Sequence, residues 1–209
     1  MTDNQKVISI LQEIDSIFDF VHRIKKDENF DLSDEYRKLN LTYYNIFCAH
    51  LESAFILINS GHFSSAIILM RTILELFVKS FYLQFIEKEK GTSISDFLSN
   101  TKDFPSFFKM LETLENYKNV NGDGFGGSFI QFSKSELASY EKFSLFSHGK
   151  GEYLRASYDN QKLSYTTEQI CEVLLTAKGL FEMLSLLLFL VQDDQASLGA
   201  LLERLKGRH

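Results

Sequence analysis

Apolar residues recur at helical spacing along most of this chain. Between residues 4 and 26 they fall at Val7, Ile10, Leu11, Ile14, Ile17, Phe18 and Val21. That i, i+3, i+4 rhythm predicts an amphipathic first helix, ended by the charged stretch Lys25-Lys26-Asp27-Glu28. A second helix is predicted from about Asp34 to Asn59. Asp34 and Glu35 suit the positive end of its dipole, and its second half, Ile46 to Ile58, is apolar on most sides. Gly61 then permits a tight turn. A third helix is expected from about Ser64 to Lys90. It is the greasiest long element, and a helix apolar all round belongs at the centre of a bundle. The short link between the second and third helices predicts an antiparallel hairpin.

The pattern is less regular between residues 91 and 132. A short helix is expected after Ser93, with Asp96 completing a capping pattern. Another is expected to begin near Pro105, which suits a first helical turn. Asn121-Gly122-Asp123-Gly124-Phe125-Gly126-Gly127 carries too much glycine for a helix and reads as a flexible loop. It lacks a preceding strand and a following Gly-Lys-Ser/Thr, so neither nucleotide-loop signature fits. Ser133 and Glu136 form a capping box for a helix over about 133–147, stopped by Gly149 and Gly151. Residues 152–165 are polar and tyrosine-rich, a loop or a short hairpin. Thr166 and Gln169 form a second capping box, opening a long helix to about Gln192. A final short helix covers Ala196 to Lys206. There is no internal repeat, heptad array or low-complexity segment.

Composition narrows the reading. The 209 residues fit one all-α domain, residues 1–209, folded as a single helical bundle of about six to eight helices. Pro105 is the only proline, which favours long uninterrupted helices. With 20 Phe and no Trp, the core is expected to rest on Phe, Leu and Ile. A net charge of −6 argues against broad non-specific nucleic-acid binding, which needs a basic face, but leaves room for a local basic site. Cys48 and Cys171 lie in apolar helical runs and read as buried free thiols in a reducing compartment. No signal peptide is visible. The greasiest run, Met183 to Val191, is shorter than the roughly 20 residues of a bilayer span. A core helix, a cytoplasmic location and no membrane partner are therefore expected.

Two polar motifs interrupt the apolar runs. Arg71 and Glu75 sit four apart within Ser65 to Val78, on one helix face, where they can pair. Burying such a pair costs several kcal/mol unless it finds partners. Arg71 could hold a phosphate or carboxylate with Glu75 orienting it; an intrahelical ion pair at the core edge is the plainer alternative. Tyr140, Ser144 and His148 are also spaced by four and share a face. His148 titrates near neutral pH and could act as acid or base, with Ser144 hydrogen-bonding it or a substrate. Equally, His148 could simply cap a helix C-terminus. No Glu-x-x-His pairs or Cys/His zinc spacings occur, and no Gly-x-Ser-x-Gly elbow, so no metal and no cofactor are expected. The Phe-rich stretches (Phe104, Phe107, Phe108; Phe125, Phe129, Phe132) read as lids folded onto the core, with a partner surface as the alternative.

The run Ala66 to Glu75 follows the form Ala-x-x-Leu-x-Arg-x-x-Leu-Glu, and Tyr140 to Gly149 the form Tyr-x-x-x-Ser-x-x-x-His-Gly. Together they resemble bacterial helical proteins related to the HEPN superfamily (higher eukaryotes and prokaryotes nucleotide-binding), over about residues 40–190. The resemblance implies a helical bundle, usually dimeric. It also implies metal-independent ribonuclease activity of the kind found in toxin–antitoxin, abortive-infection and phage-defence systems. The HEPN signature is an Arg, four to six residues, then a His. His148 matches the His, but the basic position falls on Lys142, which lacks the bidentate fork of Arg. Arg71 could take its place in the folded bundle.

Two functions follow as expectations. In one, the protein is a HEPN-like component of a bacterial defence or toxin-type system that cleaves RNA. His148 is the general acid/base, Arg71 and Lys142 stabilise phosphate charge, and Glu75, Tyr140 and Ser144 orient them. In the other, it is a non-catalytic dimerisation or ligand-sensing module acting through a partner protein encoded nearby. A homodimer is expected under both, through the first helix or the long helix from Thr166 to Gln192.

Overall fold

The computed structural model describes residues 3–26, 30–133, 154–155, 158–159 and 165–207. Among them are seven α-helices and no strand: α1 Asp3–Ile24, α2 Glu35–Asn59, α3 Phe63–Tyr82, α4 Ile94–Leu98, α5 Phe107–Glu115, α6 Thr167–Val191 and α7 Gln195–Lys206. The all-α bundle of six to eight helices is what the periodicity requires.

Each long helix has a readable start. Asp34 caps α2 by accepting from the Arg37 backbone N–H at 3.0 Å. Thr166 and Gln169 close a reciprocal capping box at α6, at 3.2 and 3.0 Å. Gly61, at φ +77°, turns the chain between α2 and α3 in a conformation that L side chains avoid. These two helices form the most extensive pair in the bundle.

α3 and α6 supply the centre. α3 buries Ala66, Ile67, Met70, Ile73, Leu74, Phe77 and Val78 on several sides. α6 buries Leu174, Ala177, Phe181, Leu184 and Leu188 against α1, α2 and α3. α1 turns Ile14, Ile17 and Val21 inward, and its Phe18 stacks flat on Phe181 with ring centroids 4.0 Å apart. Tyr44 on α2 and Ser185 on α6 share a hydrogen bond of 3.2 Å within the core, so neither hydroxyl is wasted.

Three expectations need correction. The third helix does not run as a uniform α-helix to Lys90: beyond Tyr82 it widens into a π-helical turn, Leu83–Glu87. Such turns hold one residue more than an α-turn and are invisible to a 3.6-residue period. Ser93 caps α4 through the Ser95 backbone N–H rather than in a box with Asp96. α5 starts at Phe107 after Ser106, leaving Pro105 outside the helix.

The glycine-rich segment is a loop, held from both sides. The Glu115 carboxylate, at the end of α5, accepts the backbone N–H groups of Gly127, Phe129 and Ile130. Phe125, Phe129 and Phe132 then pack onto Phe77, Phe81 and Phe85 of the third helix and its π turn. They are lids on the core, as the sequence suggests, whereas Phe108 is exposed. Gly124 passes so close to the Tyr117 carbonyl that a Cβ there would lie 2.1 Å from the oxygen.

Candidate functional site

α3 carries charge along one edge. Arg71 Nε donates to Glu75 Oε1 at 3.2 Å, and Lys79 Nζ lies 3.8 Å from Glu75 Oε2. The spacing of four stacks the three side chains on successive turns. Each is about a quarter exposed (23%, 27% and 28%), so the pair stands at the margin of the core instead of inside it. This removes most of the burial cost expected from the apolar run around it. Lys79 was not among the expected site residues, although 71, 75 and 79 share one spacing. Its ammonium also lies 5.5 Å from the centre of the Phe104 ring, a cation–π contact with the segment between α4 and α5.

Glu75 and Lys79 open onto a cleft of about 420 Å³, closed on its far side by Asp103, Phe104, Pro105, Phe107 and Met110. The Phe-rich stretch that opens α5 is thus the apolar wall of a charged groove. Chemically, two cations about one carboxylate can pair with an anion entering the cleft, with Glu75 keeping the cations aligned. Arg71 and Glu75 also have further partners. Tyr140, Lys142, Ser144 and His148 lie outside the described residues, as does most of the helix expected over 133–147.

A second charged cluster lies at the π turn, unforeseen from the sequence. Glu87 is 3% exposed, its Oε1 accepting from Lys90 Nζ at 3.0 Å and its Oε2 from Thr92 Oγ1 at 2.6 Å and from Lys102. Burial pushes its carboxyl up, but hydrogen bonds from Lys102, Thr92 and Lys90 overcome that and hold it at about 2. Glu87–Lys90 is visible as an i, i+3 pair; Thr92 and Lys102 reach it only through the turn after the helix. The cluster fastens residues 88–102 to α3, and every oxygen of Glu87 is taken.

The cysteines are free thiols, half-buried instead of fully enclosed. Cys48 borders a pocket of about 260 Å³ between α1 and α2, with His22, Lys25, Tyr44 and Glu52. Burial pushes its thiol up to about 12, which leaves it protonated at neutral pH and no nucleophile.

The fold and the α3 groove therefore define a class: an all-helical bundle with a charged cleft beside its central helix. Residues 44–207 match a family of unknown function, DUF6988, and the chain belongs to that family. The match takes in α3, the cleft and the whole 140–148 motif. No curated protein and no solved structure matches.

Proposed function

We propose that this protein is a HEPN-like component of a bacterial defence or toxin-type system and acts on RNA without a metal. The observation that carries the reading is the Arg71–Glu75–Lys79 row at the mouth of the α3 cleft. Arg and Lys there offer a fork and a point charge to one phosphate. In this mechanism His148 removes the proton of the attacking 2′-hydroxyl and returns one to the leaving oxygen. Arg71 and Lys142 balance the charge that builds on the phosphate. Glu75, Tyr140 and Ser144 hold these groups in line. The protein works in the cytoplasm as a homodimer. Exposed apolar residues on α1 (Ile8), α2 (Ile56) and α6 (Leu175, Leu190) give a second copy surface to cover.

A different reading is favoured by one feature of the same row. Glu75 lies between both cations and neutralises much of their charge. A row of that kind also suits a non-catalytic dimerisation or sensing module working through a partner protein.

Cleavage of RNA by the purified protein in EDTA separates the two. The ribonuclease reading expects cleavage by wild type, loss of at least about a hundredfold in His148→Ala, and a comparable loss in Arg71→Ala. Cleavage that persists in His148→Ala, or none by folded wild type, would sink it.

A further inference from the structure

We propose that a cleft on the other flank of the bundle, where α1, α6 and α7 meet, binds the phosphate group of a small molecule. The cleft measures about 510 Å³ and is lined by Ser9, Gln12, Glu13 and Ser16 of α1, Lys178 of α6 and Arg204 of α7. It shares no residue with the α3 groove, so the inference stands apart from the RNA reading.

Arg204 is the anchor. Its guanidinium lies over the Phe20 ring, 4.6 Å from the centroid. One terminal nitrogen, Nη2, donates to Ser16 O at 3.1 Å and to Ser16 Oγ at 2.7 Å. These contacts fix the plane of the group without neutralising it: among the described residues no carboxylate pairs with Arg204, and its Nε is buried without a hydrogen bond. An arginine already held in place, with donors to spare, binds an oxyanion without first losing side-chain freedom.

Lys178 supplies the second cation. Its side chain is only 14% exposed, while its ammonium meets Glu13 Oε2 at 2.6 Å. Glu13 is 53% exposed and free to swing outward. It sits as a built-in stand-in for the ligand, pairing a cation that the fold otherwise holds at the cleft. Ser9 and Gln12 add a hydroxyl and an amide at the same rim. Two cations against one displaceable carboxylate favour a dianion. A fixed fork beside a point charge matches the several oxygens of a phosphate better than the two of a carboxylate.

The test is calorimetric titration of the full chain with inorganic phosphate, at an ionic strength held constant with sodium chloride. Glu13→Gln removes the stand-in and is expected to tighten phosphate binding about threefold, the scale of an exposed ion pair. A folding defect cannot produce that gain. Lys178→Met, which keeps the stem, is expected to weaken binding about tenfold or more. Ser9→Asp, which adds a carboxylate at the rim, is expected to weaken it too and serves if either other variant fails to fold. The proposal is overturned if folded Glu13→Gln binds no tighter than wild type, if Lys178→Met or Ser9→Asp binds as wild type does, or if succinate binds as tightly as phosphate.

Discussion

Glu87 is the sole charged residue fully buried among the described residues. A lone carboxylate so placed would take up a proton; Lys90, Thr92 and Lys102 instead hold it ionised. Its folded value of about 2 lies below the ordinary 4.5. The folded state therefore binds the proton less readily than the unfolded chain. The stabilisation is complete above pH 4.5 and is lost as pH falls towards 2. At about 1.4 kcal/mol per unit, it amounts to about 3 kcal/mol. Glu87→Gln is expected to cost roughly that much at pH 7 and to flatten the acid limb. Urea denaturation of wild type and variant from pH 2 to 7 measures both; curves parallel across this range would contradict the assignment.

Among the elements, the 116–130 loop owes its path to a single side chain. Glu115 gathers three backbone N–H groups and so points Phe125 and Phe129 back onto α3. Glu115→Ala is expected to destabilise the protein by about 2–3 kcal/mol, since hydrogen bonds to a charged acceptor exceed neutral ones. Amide hydrogen exchange should quicken at Gly127, Phe129 and Ile130 before it quickens in α6; uniform quickening would mean that the clamp is not local. These links bear on what a sequence can disclose. The long helices were legible from period and caps, down to the Thr166–Gln169 box, because those signals are local. The Arg71–Glu75 pair was legible for the same reason, and Lys79 could have been added by extending the spacing once more. The Glu115 clamp, the Lys102 contact to Glu87 and the Arg204–Ser16 contact were not. Each joins residues 12 or more apart, and nothing in local spacing announces such a meeting.

For the whole molecule, α6 is the post against which α1, α2, α3 and α7 lean. It is long and apolar enough to span a bilayer, as is α2, but over half of its most apolar window (56%) is buried within the bundle. Leu184, at its middle, is fully enclosed. Leu184→Ala is expected to cost about 2–5 kcal/mol, transfer and cavity terms together, as a shift in the denaturation midpoint with little change in slope. A loss under 1 kcal/mol would mean that the neighbouring helices close in on the gap.

The widened turn at Leu83–Glu87 has a consequence for how this chain can change in length. One residue fewer there would restore an ordinary α-turn and rotate everything beyond it by about 100° relative to α3. The Glu87 carboxylate would leave its lysines, and Phe104 would lose its place against Lys79. Substitutions can accumulate along α3 one side chain at a time. A deletion in those five positions instead works like a skipped tooth in a gear, setting the first half of the protein out of phase with the second.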